Sequence, residues 1–241
     1  MGCLKTKSMI NPIFEAHYQF ALDEKDIAAL FTLKTEIRYM SYLIAKRHHP
    51  TGVKLSDLVQ ELKQWEEYKE IRPTDLPSYL KVMVRDGLLE KLKKDGLNLY
   101  KLKRDLTISL EVIDNNKTLD AFTDNIPLFL QQLITKKDAA LKLVLYYNLS
   151  QIYKKEMELM NKPNRTPEET DELCNLRAAR DMEILCRIYD FEYPSKFIEF
   201  INNLVNAEII SINSKNNATY IVPNILINIE QHELRAEKTN L

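Results

Sequence analysis

Arg85-Asp86-Gly87-Leu88-Leu89-Glu90-Lys91-Leu92-Lys93-Lys94-Asp95-Gly96-Leu97-Asn98-Leu99-Tyr100-Lys101-Leu102-Lys103-Arg104 is the stretch from which the fold of this chain can be read. Leu88–Lys93 and Leu97–Arg104 each alternate apolar and polar residues, the period of a strand. Lys94-Asp95-Gly96 between them has the chemistry of a hairpin turn, in which Gly96 supplies a positive φ. Six cations, Lys91, Lys93, Lys94, Lys101, Lys103 and Arg104, fall within fourteen residues and are offset only by Asp95, a local charge of +5. Alternation sets Lys91 beside Lys93 and Lys101 beside Lys103, with Leu92, Tyr100 and Leu102 turned toward the body. Phosphates select such a patch, although lysines also guard an exposed strand edge against aggregation.

Upstream of this hairpin the periods are helical. From about Asp23 to Arg47, Ile27, Leu30, Phe31, Ile37, Met40 and Ile44 recur at three- and four-residue spacing, and His48-His49-Pro50-Thr51-Gly52 ends the helix. A short extended piece, Val53–Leu55, follows. Ser56 is then a candidate N-cap for a helix whose stripe is Leu58, Val59, Leu62 and Trp65. After the polar stretch Glu66–Arg72, a third helix covers 77–86, with Leu76, Leu80, Met83 and Val84 inward and Gly87 at its end. Ser78, Lys81 and Arg85 share the opposite face of that helix, and Val82 lies beside them.

Downstream, Leu106–Ile113 reads as a strand and Asp114-Asn115-Asn116-Lys117 as the start of a linker, 114–137. A long helix runs from Asp138 to Met160. Thr166-Pro167-Glu168-Glu169 is a capping box with Pro at the first helical position, opening a second long helix to about Tyr189. The earlier pattern then returns. Pro194-Ser195 echoes Pro77-Ser78, Ala207-Glu208-Ile209-Ile210 echoes Asp86-Gly87-Leu88-Leu89 after a helix about one turn longer, and Ile209–Ile212 with Thr219–Val222 make another hairpin. A C-terminal helix is expected from Asn224.

The order helix, short strand, helix, helix, hairpin, with Asp86-Gly87-Leu88-Leu89 at the junction, resembles the winged helix-turn-helix superfamily over about residues 25–105. The connection Glu66–Thr74 is longer than the usual turn of 3–4 residues between the two inner helices. The chain as a whole is expected to be mainly α with small β-hairpins, an α+β protein. Its expected parts are an N-terminal arm (1–22), a first winged-helix domain with a basic wing (23–113), the linker segment (114–137), and a second winged-helix domain (138–241) carrying a long helical hairpin. Tandem winged helices resemble plasmid and phage replication initiators and some transcription regulators. The resemblance implies sequence-specific binding of double-stranded DNA, with helix 77–86 reading bases and wing 91–104 holding phosphates. The expected DNA-binding residues are Ser78, Lys81, Arg85, Lys91, Lys93, Lys94, Lys101, Lys103 and Arg104. The alternative is a non-enzymatic scaffold, as in the kleisin-binding partners of chromosome-organising complexes and in membrane-sorting complexes.

Composition bounds these readings. The chain has 241 residues, a 45% hydrophobic fraction and only four glycines, which points to helix and away from glycine-rich phosphate loops. The net charge of −1 divides into +4 for residues 1–110 and −5 for 111–241, so a nucleic-acid footprint must be local. In the second module the equivalent helix face carries Lys196, Glu199, Asn203 and Asn206, which suits a protein partner better than phosphate. No apolar run reaches the ~18–20 residues of a membrane span, and a soluble cytoplasmic protein is expected. Met1-Gly2-Cys3-Leu4-Lys5-Thr6 matches the N-myristoylation pattern, yet the pattern is short and a membrane anchor is not expected.

Catalytic signatures are missing from the sequence: no P-loop, dinucleotide fingerprint, H-E-x-x-H or G-x-S-x-G occurs, so neither an enzyme nor a cofactor is expected. His48 and His49 are adjacent, and so point about 100° apart on a helix, which does not suit one metal ion. Cys3, Cys174 and Cys186 form no even framework and read as reduced thiols. The apolar surplus of the 138–189 helices, including Tyr146 and Tyr147, points to a homodimer through them.

Overall fold

Asp95 and Gly96 both take positive φ, 52° and 77°, so the first hairpin turns in two residues, the geometry that matches the twist of its strands. That hairpin, β2 (Leu89–Lys94) and β3 (Leu97–Leu102), is joined by a two-residue strand, β1 (Val53–Lys54), in the order β1-β3-β2. Four helices precede or interleave with it: α1 (Glu24–Leu33), α2 (Glu36–Arg47), α3 (Leu55–Leu62) and α4 (Leu76–Arg85). A single 3₁₀ turn, Glu66–Tyr68, occupies the long α3–α4 connection. The computed structural model describes residues 22–113, 125–133, 139–188, 194–215 and 217–232, and the protein it shows is mainly α with antiparallel sheets of two and three strands.

The expected helix 23–47 is two helices. Thr35 leaves the helical region at φ −94°, ψ 120°, and Glu36 opens α2, a polar start beside the positive helix end. Asp23 caps α1 by accepting from the Asp26 N–H at 2.6 Å. The α3 helix begins at Leu55 with Lys54 as its cap, so Ser56 lies inside the first turn instead of capping it. Apolar stripes from these helices meet in one core, where Leu30, Leu33, Ile44, Leu58, Leu62, Leu80 and Met83 are fully buried. Strand β4 (Asp105–Val112) is fastened to α2: Tyr42 Oη accepts from the Leu106 N–H at 2.6 Å, and Lys46 Nζ reaches Asp105 and Thr107.

The rest of the chain contains α5 (Ile126–Leu133), α6 (Ala139–Asn161), α7 (Pro167–Ala178), α8 (Met182–Ile188), α9 (Pro194–Asn206), β5 (Ile210–Lys215), β6 (Ala218–Pro223) and β7 (Ile225–His232). Three expectations change here. Inside the expected linker lies α5, with Phe129, Leu130 and Leu133 fully buried, because its apolar run exceeds what an exposed linker tolerates. The second long helix stops at Ala178, where Arg180 and Asp181 turn to meet β6: the Ile221 N–H donates to the Arg180 carbonyl, and Asp181 bridges Tyr220. Residues from Ile225 form a strand, since Ile225, Leu226 and Ile227 are all buried and alternate β-branched residues favour extension. The capping box at Thr166 and Glu169 forms as read. The acylation pattern at Met1–Thr6 and the Asp114–Lys117 segment lie outside the described residues.

Two compact units result. One comprises Asp23–Ser109 together with 125–131 and 228–232, and the other comprises the remaining described residues from 110 on. Strands β4 and β7 pair as a two-stranded ribbon. The units repeat one geometry at a numbering shift of 121: Leu88 N–H donates to Met83 O and Ile209 N–H to Leu204 O, while Lys103 N–H donates to Leu88 O and Asn224 N–H to Ile209 O. The hairpin registers obey the same shift, Leu89↔Leu102 against Ile210↔Pro223 and Lys94↔Leu97 against Lys215↔Ala218. Even the left-handed residue recurs, Gly87 at φ 75° and Glu208 at φ 56°.

Candidate nucleic-acid interface

Ser78, Lys81 and Arg85 lie on the exposed side of α4, because Leu76, Leu80 and Met83 take the buried side. The Ser78 hydroxyl donates to the Asp75 carbonyl at 2.8 Å and so closes the first turn. Arg85 Nε donates to Asp86 Oδ1 at 2.6 Å and Nη2 to Oδ2 at 3.1 Å, while the Thr32 hydroxyl of α1 also donates to Oδ2. Asp86 thus ties α4 to α1 and tethers a guanidinium that stays 72% exposed. Burial alone would raise the Asp86 carboxyl, and the hydrogen bonds from Arg85 and Thr32 more than offset it, leaving its pKa below the usual value.

Gly87, left-handed at φ 75°, turns the chain from α4 directly into the basic hairpin. Lys91, Lys93, Lys94 and Lys103 are exposed and Lys101 is half-buried, and none of the five has a carboxylate partner among the described residues. Lys91 Nζ sits 6.0 Å from the centre of the Tyr100 ring. Lys103 and Arg85 line one open cleft of about 660 Å³ together with Asp23, Lys25, Asp86 and Arg104.

Two parts of the expected patch are corrected. The lysines do not share one surface. Opposite residues in an antiparallel pair face the same way, so Lys91 and Lys93 lie with the buried Tyr100, Leu89 and Leu102, while Lys94 and Lys101 lie on the other face with Leu92, Leu97 and Leu99. The cause is turn length: a three-residue turn at 94–96 would place Leu92 with Tyr100 and Leu102, but the observed two-residue turn moves the register by one and reverses the faces. Arg104, in turn, is largely covered and paired. Its side chain is 16% exposed and Nη2 lies 2.6 Å from Asp26 Oδ1 and 3.5 Å from Asp23 Oδ2.

In the second unit the 121 shift sets Glu199, Asn202 and Asn206 where α4 has Ser78, Lys81 and Arg85, and all three are exposed. Lys196 is half-buried and stands outside that set. The sequence echo at Pro194-Ser195 aligns the helix starts and so misses Asn202, because α9 is matched to α4 from its C-terminal end and begins three residues earlier. Tyr146, counted as a surplus apolar residue, is fully buried, and its hydroxyl donates to the Ile225 carbonyl. His48 Nε2 meets Glu61 Oε1, and no group of His, Cys, Asp and Glu among the described residues is placed to hold a metal ion. Cys174 is exposed and Cys186 half-buried, both as free thiols. No helix of the described residues is long and apolar enough to cross a membrane. Comparison with protein-family models, with curated proteins and with solved structures finds no match.

Proposed function

We propose that this chain is a sequence-specific double-stranded DNA-binding protein of the replication-initiation or transcription-regulation kind, built on tandem winged-helix modules. One observation carries the reading. Exposed Lys81 and Arg85 sit one turn apart on a helix that runs through a single left-handed residue into a hairpin with five lysines that have no carboxylate partner among the described residues. A helix of this width enters the major groove, where an Arg fork suits guanine O6 and N7, while lysines on a projecting hairpin meet phosphates on either side of it. Distribution of the lysines over both hairpin faces is compatible with that role at the hairpin tip, where Lys93 and Lys94 lead into the turn from opposite faces.

A salt titration of binding to mixed duplexes tests the proposal. Affinity should fall steeply with salt, and Lys93→Ala, Lys94→Ala and Lys101→Ala together should flatten the slope by about 0.9 per lost phosphate contact. Arg85→Ala should relax discrimination at one base pair by about 1–3 kcal/mol. An unchanged affinity and slope in the triple variant would overturn the assignment.

The second reading, an interaction scaffold, is supported by the second unit, where Glu199, Asn202 and Asn206 give α9 an exposed face with no cation. A homodimer through the helices of 138–189 belongs to either reading, with the exposed Met160 as a contact.

A further inference from the structure

Phosphate binding leaves one feature of the hairpin unexplained. Leu92 and Leu97 are 37% and 52% exposed on its outer face, and Leu99, half-buried, lies between them because it pairs with Leu92 and shares its strand face with Leu97. Three lysines and one carboxylate border this apolar patch: Lys54 pairs with Leu99, Lys94 pairs with Leu97, Lys101 follows Leu99 on the same face, and Glu90, opposite Lys101, precedes Leu92 there. None of the three has a carboxylate partner among the described residues. Among the described residues the neighbouring strand β2 is at the edge of its sheet and pairs with β3 alone, and Glu90 through Lys94 are all exposed.

From this edge we infer that an acidic, amphipathic segment of a partner protein docks on the hairpin as an added strand beside β2. Along β2 the free edge reads Lys91, Leu92, Lys93, a cation on one face, a leucine on the other and a cation again. A strand pairing with it places side chains directly opposite these, so carboxylates at alternate positions meet Lys91 and Lys93 while an apolar residue between them extends the Leu92 patch. A second copy of this chain does not fit the edge, since pairing β2 with itself gathers lysines on both sides, the arrangement by which edge strands avoid self-association. The occupant is therefore set by charge and by alternation. The inference stands whether or not the same lysines also meet phosphate.

The probe is a capped nine-residue peptide of alternating Glu and Val, compared with a peptide of the same composition in two blocks, each titrated into the full chain and followed by amide chemical shifts. The alternating peptide should bind at least tenfold more tightly than the block peptide and shift the amides of 90–94. Leu92→Ser and Leu97→Ser, both at exposed positions, should each weaken it at least fivefold while leaving duplex binding within twofold. Of two versions N-methylated at alternate residues, one should lose binding and the other keep it, because an added strand uses one edge. Equal binding of the alternating and block peptides would reduce the contact to charge alone and overturn the inference. So would equal behaviour of the two methylated versions, or binding to phosphatidylserine vesicles with none to the peptide, which would assign the leucines to a membrane surface.

Discussion

Arg104 Nη2 lies 2.6 Å from Asp26 Oδ1, and the two side chains are only 16% and 11% exposed. The last cation of the basic hairpin is therefore a clasp between the exit of β3 and the first turn of α1, where a carboxylate also suits the positive helix end. Removing one partner of a largely buried pair leaves the other uncompensated. Arg104→Ala should lower the unfolding free energy by about 2–4 kcal/mol in urea melts, and at a salt where the variant is folded its duplex-binding slope should match the parent's. A reduced slope in a fully folded Arg104→Ala would return this residue to the phosphate-binding set.

Asp86 makes stability depend on acid. Its carboxyl titrates below the usual value in the folded chain, so the stability it contributes is fully present above about pH 4, where an unfolded Asp is ionised, and is lost as pH falls through the lowered folded value. Denaturation midpoints should decline from about pH 4 toward pH 2, and Asp86→Asn should show a shallower decline than the parent while being less stable at neutral pH. Parallel curves for parent and variant would mean that Arg85 and Thr32 do not hold the ionised form.

Much of the fold is legible in local chemistry, and the parts that are not share a cause. Helix stripes, the Thr166–Glu169 capping box and the apolar partners of Gly87 depend on neighbours in sequence. By contrast, the stop after Ala178 and the strand at Ile225 each depend on a partner far along the chain: Ile221 pairs with Arg180, and the Ile225 carbonyl accepts from Tyr146. The basic patch shows the same division. Its residues and charge are evident in the sequence, but which face each lysine takes hangs on whether the turn holds two residues or three, and one residue of register reverses every side chain. Arg104 is indistinguishable from its neighbours in sequence, since Asp23 and Asp26 reach it only through the fold.

The helical hairpin of the second unit is held by Glu156, which is 3% exposed. Arg177 Nε donates to Oε1 at 2.9 Å and Arg180 Nε to Oε2 at 2.9 Å, Arg180 covers the Tyr153 ring at 4.7 Å, and its Nη1 donates to the Ile221 carbonyl. One carboxylate joins α6, the end of α7 and β6. Glu156→Ala strands the buried Arg180 charge and should cost about 3–5 kcal/mol. Arg177→Ala, whose side chain is 46% exposed, should cost no more than about 1 kcal/mol. A double-mutant cycle with Arg180→Ala should show strong coupling, and additive losses would mean that the pair does not act as a unit.

Tyr42 and Tyr146 carry the claim that the two units share a design. Tyr42 Oη accepts from the Leu106 N–H at the start of β4, and Tyr146 Oη donates to the Ile225 carbonyl at the start of β7, so each strand that follows a hairpin is caught by a buried phenol from a helix. Burial pushes both phenols well above the ordinary tyrosine value. The match is not atom for atom. Ile227, which stands 121 residues beyond Leu106, donates its N–H to Ser150 Oγ at 2.9 Å, one turn along from Tyr146. Replacement by Phe keeps the ring and removes one hydrogen-bonding group, leaving a buried backbone partner unsatisfied. Tyr42→Phe and Tyr146→Phe should therefore each destabilise by about 1–3 kcal/mol. Tyr79→Phe, whose ring still carries Arg38 at 5.8 Å, should change stability by less than about 0.5 kcal/mol. If Tyr146→Phe melted like the Tyr79 control while Tyr42→Phe did not, the strand clasp would belong to the first unit alone, and the repeat would extend only to the helix and hairpin at the 121 shift.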